Sequence, residues 1–204
     1  MKKYIAALSV TALIGAAPYA LAESTVLTVT GLIIPQACTP TLSHNGLIEL
    51  GKISAKDLDQ TNSTEVGLHP MQLSVSCTES MKFALKTIES SPGSSFGSNY
   101  FGLGLTDAGE KLGGFRINIK NVLADGKAAT AGFSYIDENS WTTTTRIDPN
   151  VLITAVTAYP SLPIDMKDLT MDLEVSTLIA RADSLTLTDD VPINSTATFE
   201  MIYL

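Results

Sequence analysis

The chain has 204 residues, 45% of them hydrophobic, 17% charged and 6% aromatic, which suits one packed domain and excludes a disordered chain. Thirteen lysines and arginines against 21 aspartates and glutamates give a net charge of −8. That is the wrong sign for binding a phosphate backbone, so no nucleic acid is expected as a partner. Two histidines and two cysteines leave little for a metal site or a histidine-based catalytic apparatus. No enzyme activity, cofactor or metal is expected.

In chain order, Lys2 and Lys3 precede an apolar run from Tyr4 to Ala17, broken only by Ser9 and Thr11, and then Pro18 and Ala20-Leu21-Ala22. This is the pattern of an export signal cleaved after Ala22. The run is too short to cross a bilayer, and no later stretch is long enough. Residues 1–22 are therefore expected to be a signal peptide, and the mature protein exported and not membrane-inserted.

The following segment alternates. Leu27, Val29, Gly31 and Ile33 share one face, with Thr28, Thr30 and Leu32 on the other. A glycine inside a strand often marks close approach to another backbone or side chain. Periodicity leaves two readings open: a first strand paired within its own domain, or a detachable strand that fills a groove in another molecule. In an oxidising compartment Cys38 and Cys77 are expected to form a disulfide. It would close a loop of about forty residues and stabilise by about 3–4 kcal/mol.

Farther on, period-two alternation marks half-buried strands. Met71, Leu73, Val75 and Cys77 form one such face; Phe115, Ile117 and Ile119 form another. Leu169, Met171, Leu173 and Val175 make a third, and Ala197, Phe199, Met201 and Tyr203 a fourth. Turn-forming clusters separate them at Ser90 to Asn99, Asp107 to Gly114, Asp125 to Lys127, Asp137 to Ser140 and Asp189-Asp190. No long helical stripe and no internal repeat is present. Many short strands with frequent turns predict an all-β sandwich or barrel.

Candidate chemistry is sparse. His44 beside Asn45-Gly46 and His69 before Pro70 read as loop or surface residues, and no nucleophile elbow, phosphate loop or zinc-helix motif occurs. Asp57-Leu58-Asp59 starts like a calcium loop but lacks its later ligands and turn glycine. Asp165, Asp168 and Asp172 read as solvated charges on an outer face. Trp141, Tyr135 and Phe133 flank the turn at Asp137 to Ser140. An exposed ring there would stack on a sugar, although cross-strand packing is the commoner use of such a cluster.

Three separated features, in order, resemble subunits of chaperone–usher pili. The alternating arm carries Gly31 seven positions before Cys38, and Pro35-Gln36-Ala37-Cys38 is similar to the family's junction between arm and domain. Cys77 falls where the family's second cysteine lies. Thr198-Phe199-Glu200-Met201-Ile202-Tyr203-Leu204 resembles its last strand, with the penultimate aromatic. Phe101-Gly102-Leu103-Gly104-Leu105 and Ser184-Leu185-Thr186-Leu187-Thr188 are similar to a less-studied branch of fimbrial-subunit-like proteins. The resemblance implies an incomplete immunoglobulin-like β-sandwich, the pilin fold, spanning residues 37–204, with a donor-strand arm at 23–36. It implies a periplasmic chaperone, an outer-membrane usher and neighbouring fimbrial subunits as partners, and a fimbrium on the cell surface as destination. Leu27, Val29 and Ile33 would enter a neighbour's groove, with Gly31 where no side chain fits. Phe199, Met201, Tyr203 and Leu204 would face the chaperone. The alternative is a one-domain minor fimbrial adhesin that binds host or surface glycans, with Trp141 and Tyr135 as contacts.

Overall fold

A computed structural model of the chain describes residues 27–30, 37–136 and 140–204. The expected signal peptide, Gly31, Ile33, Pro35 and Gln36, and the turn residues 137–139 lie outside the described residues. The chain divides into two compact units, Met1–Ile34 and Pro35–Leu204. Of the first, residues 27–30 are exposed and form no regular element, with Leu27 and Val29 presenting 89% and 87% of their surface.

The second unit is all-β. Its strands are β1 (Cys38–Leu42), β2 (Thr64–Met81), β3 (Phe83–Glu89), β4 (Phe101–Gly102), β5 (Gly113–Ala124), β6 (Lys127–Ala128), β7 (Thr130–Tyr135), β8 (Thr142–Thr143), β9 (Arg146–Ile147), β10 (Val151–Val156), β11 (Met166–Ile179) and β12 (Ala197–Tyr203). Among the described residues there is no α-helix, only three single 3-10 turns. Two antiparallel sheets result. One runs β1-β2-β11-β5-β4, with β6 and β9 also pairing β5; the other runs β12-β3-β10-β7-β8.

The alternating runs place their apolar faces inward. Leu73 and Val75 of β2, Ile117 of β5 and Met171 and Leu173 of β11 meet Phe83 and Leu85 of β3 and Ile153 and Ala155 of β10 in one core. This face-to-face arrangement is consistent with a β-sandwich. Two buried threonines join the core without stranding a hydroxyl. Thr154 donates to the Phe83 carbonyl at 2.6 Å, and Thr87 donates to the Asp148 carbonyl at 2.8 Å while accepting the Val151 N–H at 3.0 Å. Both satisfy the requirement that a buried polar group keep a partner. β5 starts at Gly113, inside the cluster expected to be a turn up to Gly114, because both glycines pair with the end of β11.

The expected disulfide is present. Cys38 and Cys77 are directly opposite in the β1–β2 ladder, with Cα atoms 4.0 Å apart. β1 is an edge of the first sheet and β12 an edge of the second. The two edges meet at one pole, where the Cys38 N–H donates to the Tyr203 hydroxyl at 3.1 Å.

Candidate functional site

Away from that pole the two edges part and leave a groove of about 1400 Å³. Its floor is the inner face of the first sheet: Met71 of β2, Phe115 and Ile117 of β5, and Val175 and Ile179 of β11. A second apolar cluster around Leu58, Leu103 and Leu112 closes the far end. Phe199 and Ala197 of β12 form part of one side and remain half-buried.

Each wall is a stretch of chain without sheet partners. β1 ends where His44, Asn45 and Gly46 all take positive φ, at 54°, 53° and 71°. A side chain at Gly46 would press on Leu42, so glycine serves both the turn dihedral and the close approach. The chain then runs along the groove through Ile48, Leu50 and Ile53, all half-buried there, while Leu47 stays 63% exposed. Among the described residues, the backbone groups of residues 48–53 have no backbone partner. The opposite wall, Leu187 to Ile193, is likewise outside any ladder.

The start of that second wall is held by Glu110. Its carboxylate accepts the Thr186 N–H at 2.6 Å and the Thr186 hydroxyl at 2.8 Å, and the Thr106 hydroxyl at 2.9 Å. These donors favour the charged form. The Thr186 backbone N–H, the largest influence, helps hold the Glu110 carboxyl below the usual glutamate range.

Two walls whose N–H and C=O groups have no backbone partner among the described residues, over an apolar floor, match what one extended strand needs. Its backbone can bond on either side while alternate side chains enter the floor. An open edge of this kind is otherwise a liability for a soluble protein.

Of the residues singled out in the sequence, Phe199 lines the groove and Met201 is half-buried against the core. Tyr203 and Leu204 are about half exposed at the pole. Leu27 and Val29 are exposed in the first unit, and the disulfide stands at the root of β1. Tyr135 closes β7 with its ring edge-on to Phe133 at 5.6 Å, and Trp141 is half-buried.

His69 departs from expectation. It is not in a loop but inside β2, opposite Val175, half-buried, with its Nε2 shielded and without a partner among the described residues. The following proline reads as a strand breaker. Here the β1 ladder has already stopped at Leu73, and Gln72 points its N–H to Ser43 on the β1 side. Pro70, two residues earlier, turns its missing N–H to the same open side, where no ladder bond is lost. Asp59 accepts the Thr61 and Asn62 N–H groups, both at 2.8 Å. Asp168 and Asp172 lie on the outer face, bonded to Ser76 and to Gln72 and Asn121. Of the groove walls, Leu47 to Ile53 was not singled out in the sequence, and Leu187 to Asp190 entered only through a family-like run and a turn cluster, because neither wall has a long alternation.

Residues 27–95 match the model of a family described as a protein of unknown function, DUF1120. The match covers well under half of the chain, from the exposed Leu27 through β3 into the loop before β4. No curated protein matches the chain.

Proposed function

We propose that the chain is a structural subunit of a bacterial surface fimbria, with an immunoglobulin-like pilin domain that is completed by a strand from another molecule. The observation that carries this reading is the groove with two unpartnered backbone walls over an apolar floor. The sequence before Cys38 supplies a segment of matching character, with Leu27, Val29 and Ile33 alternating with polar residues and Gly31 between them. Each aliphatic side chain seated on the floor contributes about 1.5–3 kcal/mol. Backbone bonds to both walls add register. In transit the groove is occupied by a strand of a periplasmic chaperone, and at the outer-membrane usher by the arm of the next subunit. The groove, not a catalytic constellation, is the working part of the molecule.

The test is co-expression with the cognate chaperone and usher, followed by an unboiled denaturing gel of material sheared from the cell surface. A ladder of stable multimers from the wild type, absent when Ser24 to Ile34 are deleted, is the expected result. Well-folded monomer from both chains would return the arm to its own sheet and end this reading.

A further inference from the structure

A second, smaller cleft lies outside the groove, beneath the loop that joins β3 to β4. It has a volume of about 360 Å³, within the range of small-ligand clefts, roughly 300–1,000 Å³. We propose that this cleft binds a saccharide, with the ring of Phe96 as platform and Glu89 and Lys111 as hydrogen-bonding groups.

The loop is built, not loose. Ser94 is buried, donates to the Ser91 carbonyl at 2.7 Å and accepts the Gly104 N–H at 3.1 Å. Any side chain at Gly102 would collide with Ser94 and with the Ser91 carbonyl, so the loop rests directly on the β4 backbone. Phe96 is 42% exposed yet held in place. Its ring lies 4.9 Å from that of Tyr100, tilted by 53°. Tyr100 in turn lies under the Arg116 guanidinium, 5.5 Å from the ring centre. A partly exposed aromatic braced by a second ring suits the C–H face of a pyranose, because that face is apolar while the ring edge carries the hydroxyls.

The polar groups fit the same ligand. Among the described residues Glu89, at the end of β3, accepts only two long bonds, from the Gly102 N–H at 3.4 Å and the Asn150 amide at 3.3 Å. A carboxylate has acceptor capacity for more. The Lys111 ammonium gives one proton to the Ser95 carbonyl at 3.0 Å and has two left. Both groups hold neutral partners and keep hydrogen-bonding capacity toward hydroxyls. Sugar hydroxyls can donate to Glu89 and accept from Lys111, in charge-assisted bonds of the stronger class.

This inference does not depend on the groove reading, and its test is separate. The folded full chain is mixed with the methyl glycosides of glucose, galactose and mannose, and saturation transfer from protein to sugar is recorded by NMR. Transfer to the ring C–H protons of at least one glycoside is expected. Its apparent affinity should fall about tenfold or more in both Phe96→Ala and Glu89→Gln, with circular dichroism unchanged, and stay at the wild-type value in Trp141→Ala. Absence of transfer to all three glycosides overturns the proposal. So does transfer that survives both cleft substitutions, or that Trp141→Ala abolishes. Multimer ladders from the two cleft variants should match the wild type, so a loss of sugar binding and a loss of polymerisation are read independently.

Discussion

Gly113 opens β5 at a φ of 141°, a conformation that side chains disfavour. A methyl group there would run into the Leu178 carbonyl of β11. Gly113→Ala is expected to lower stability by about 2 kcal/mol or more, since backbone strain and steric conflict act together; a urea midpoint equal to the wild type would contradict this. Glu110 makes a different kind of prediction. Its carboxyl is held below the usual range by the Thr186 and Thr106 donors, so the contact contributes above the ordinary glutamate range and is lost as pH falls through the lowered value. The Thr186 amide should therefore lose protection in acid, measured against its intrinsic exchange rate at each pH, and Glu110→Gln should show the lower protection already at neutral pH. An amide indifferent to both changes would remove Glu110 as the anchor of that groove wall.

At the scale of elements, the disulfide clips the five-residue β1 to β2 across the sheet edge. Replacing both cysteines by serine should cost about 3–4 kcal/mol by the loop-closure argument, read as a shift of the denaturation midpoint; an unchanged midpoint would mean that the ladder alone holds β1. Four strands were legible in the sequence because each buries one face only: β2 through Met71 to Cys77, the middle of β5, β11 from Leu169 and β12. β10 was not legible in that way, since Val151 to Val156 are all buried and a strand covered on both faces shows no alternation. His69 was misread because proline ends most strands, whereas Pro70 sits where β2 has run out of neighbours on one side. The resemblance implied a groove, but the residues that build it were not legible, for a related reason. Its walls are short irregular stretches whose role depends on what lies across from them, and that is a property of the fold and not of local pattern.

For the molecule as a whole, the proposed function makes the groove the place where another strand completes the domain. A synthetic peptide spanning Ser24 to Ile34, added to a chain that lacks that segment, should raise the melting temperature, because a ligand that binds only the folded state stabilises it. A peptide with Leu27 and Val29 replaced by aspartate should give no rise, since the floor is apolar. Equal shifts from both peptides would mean that side-chain burial is not what the groove recognises. The pole where Cys38 meets Tyr203 has a mechanical consequence under the polymer reading. There, a filament pulled lengthwise draws on the chain immediately before Cys38. Without the disulfide, that tension would have to be resisted by β1 alone, an edge strand of five residues. With it, the pull passes through a covalent bond into β2, which is paired with β11 along most of its length. The subunit would then yield at a markedly lower force once reduced, and single-filament stretching with and without a thiol reductant measures that difference directly.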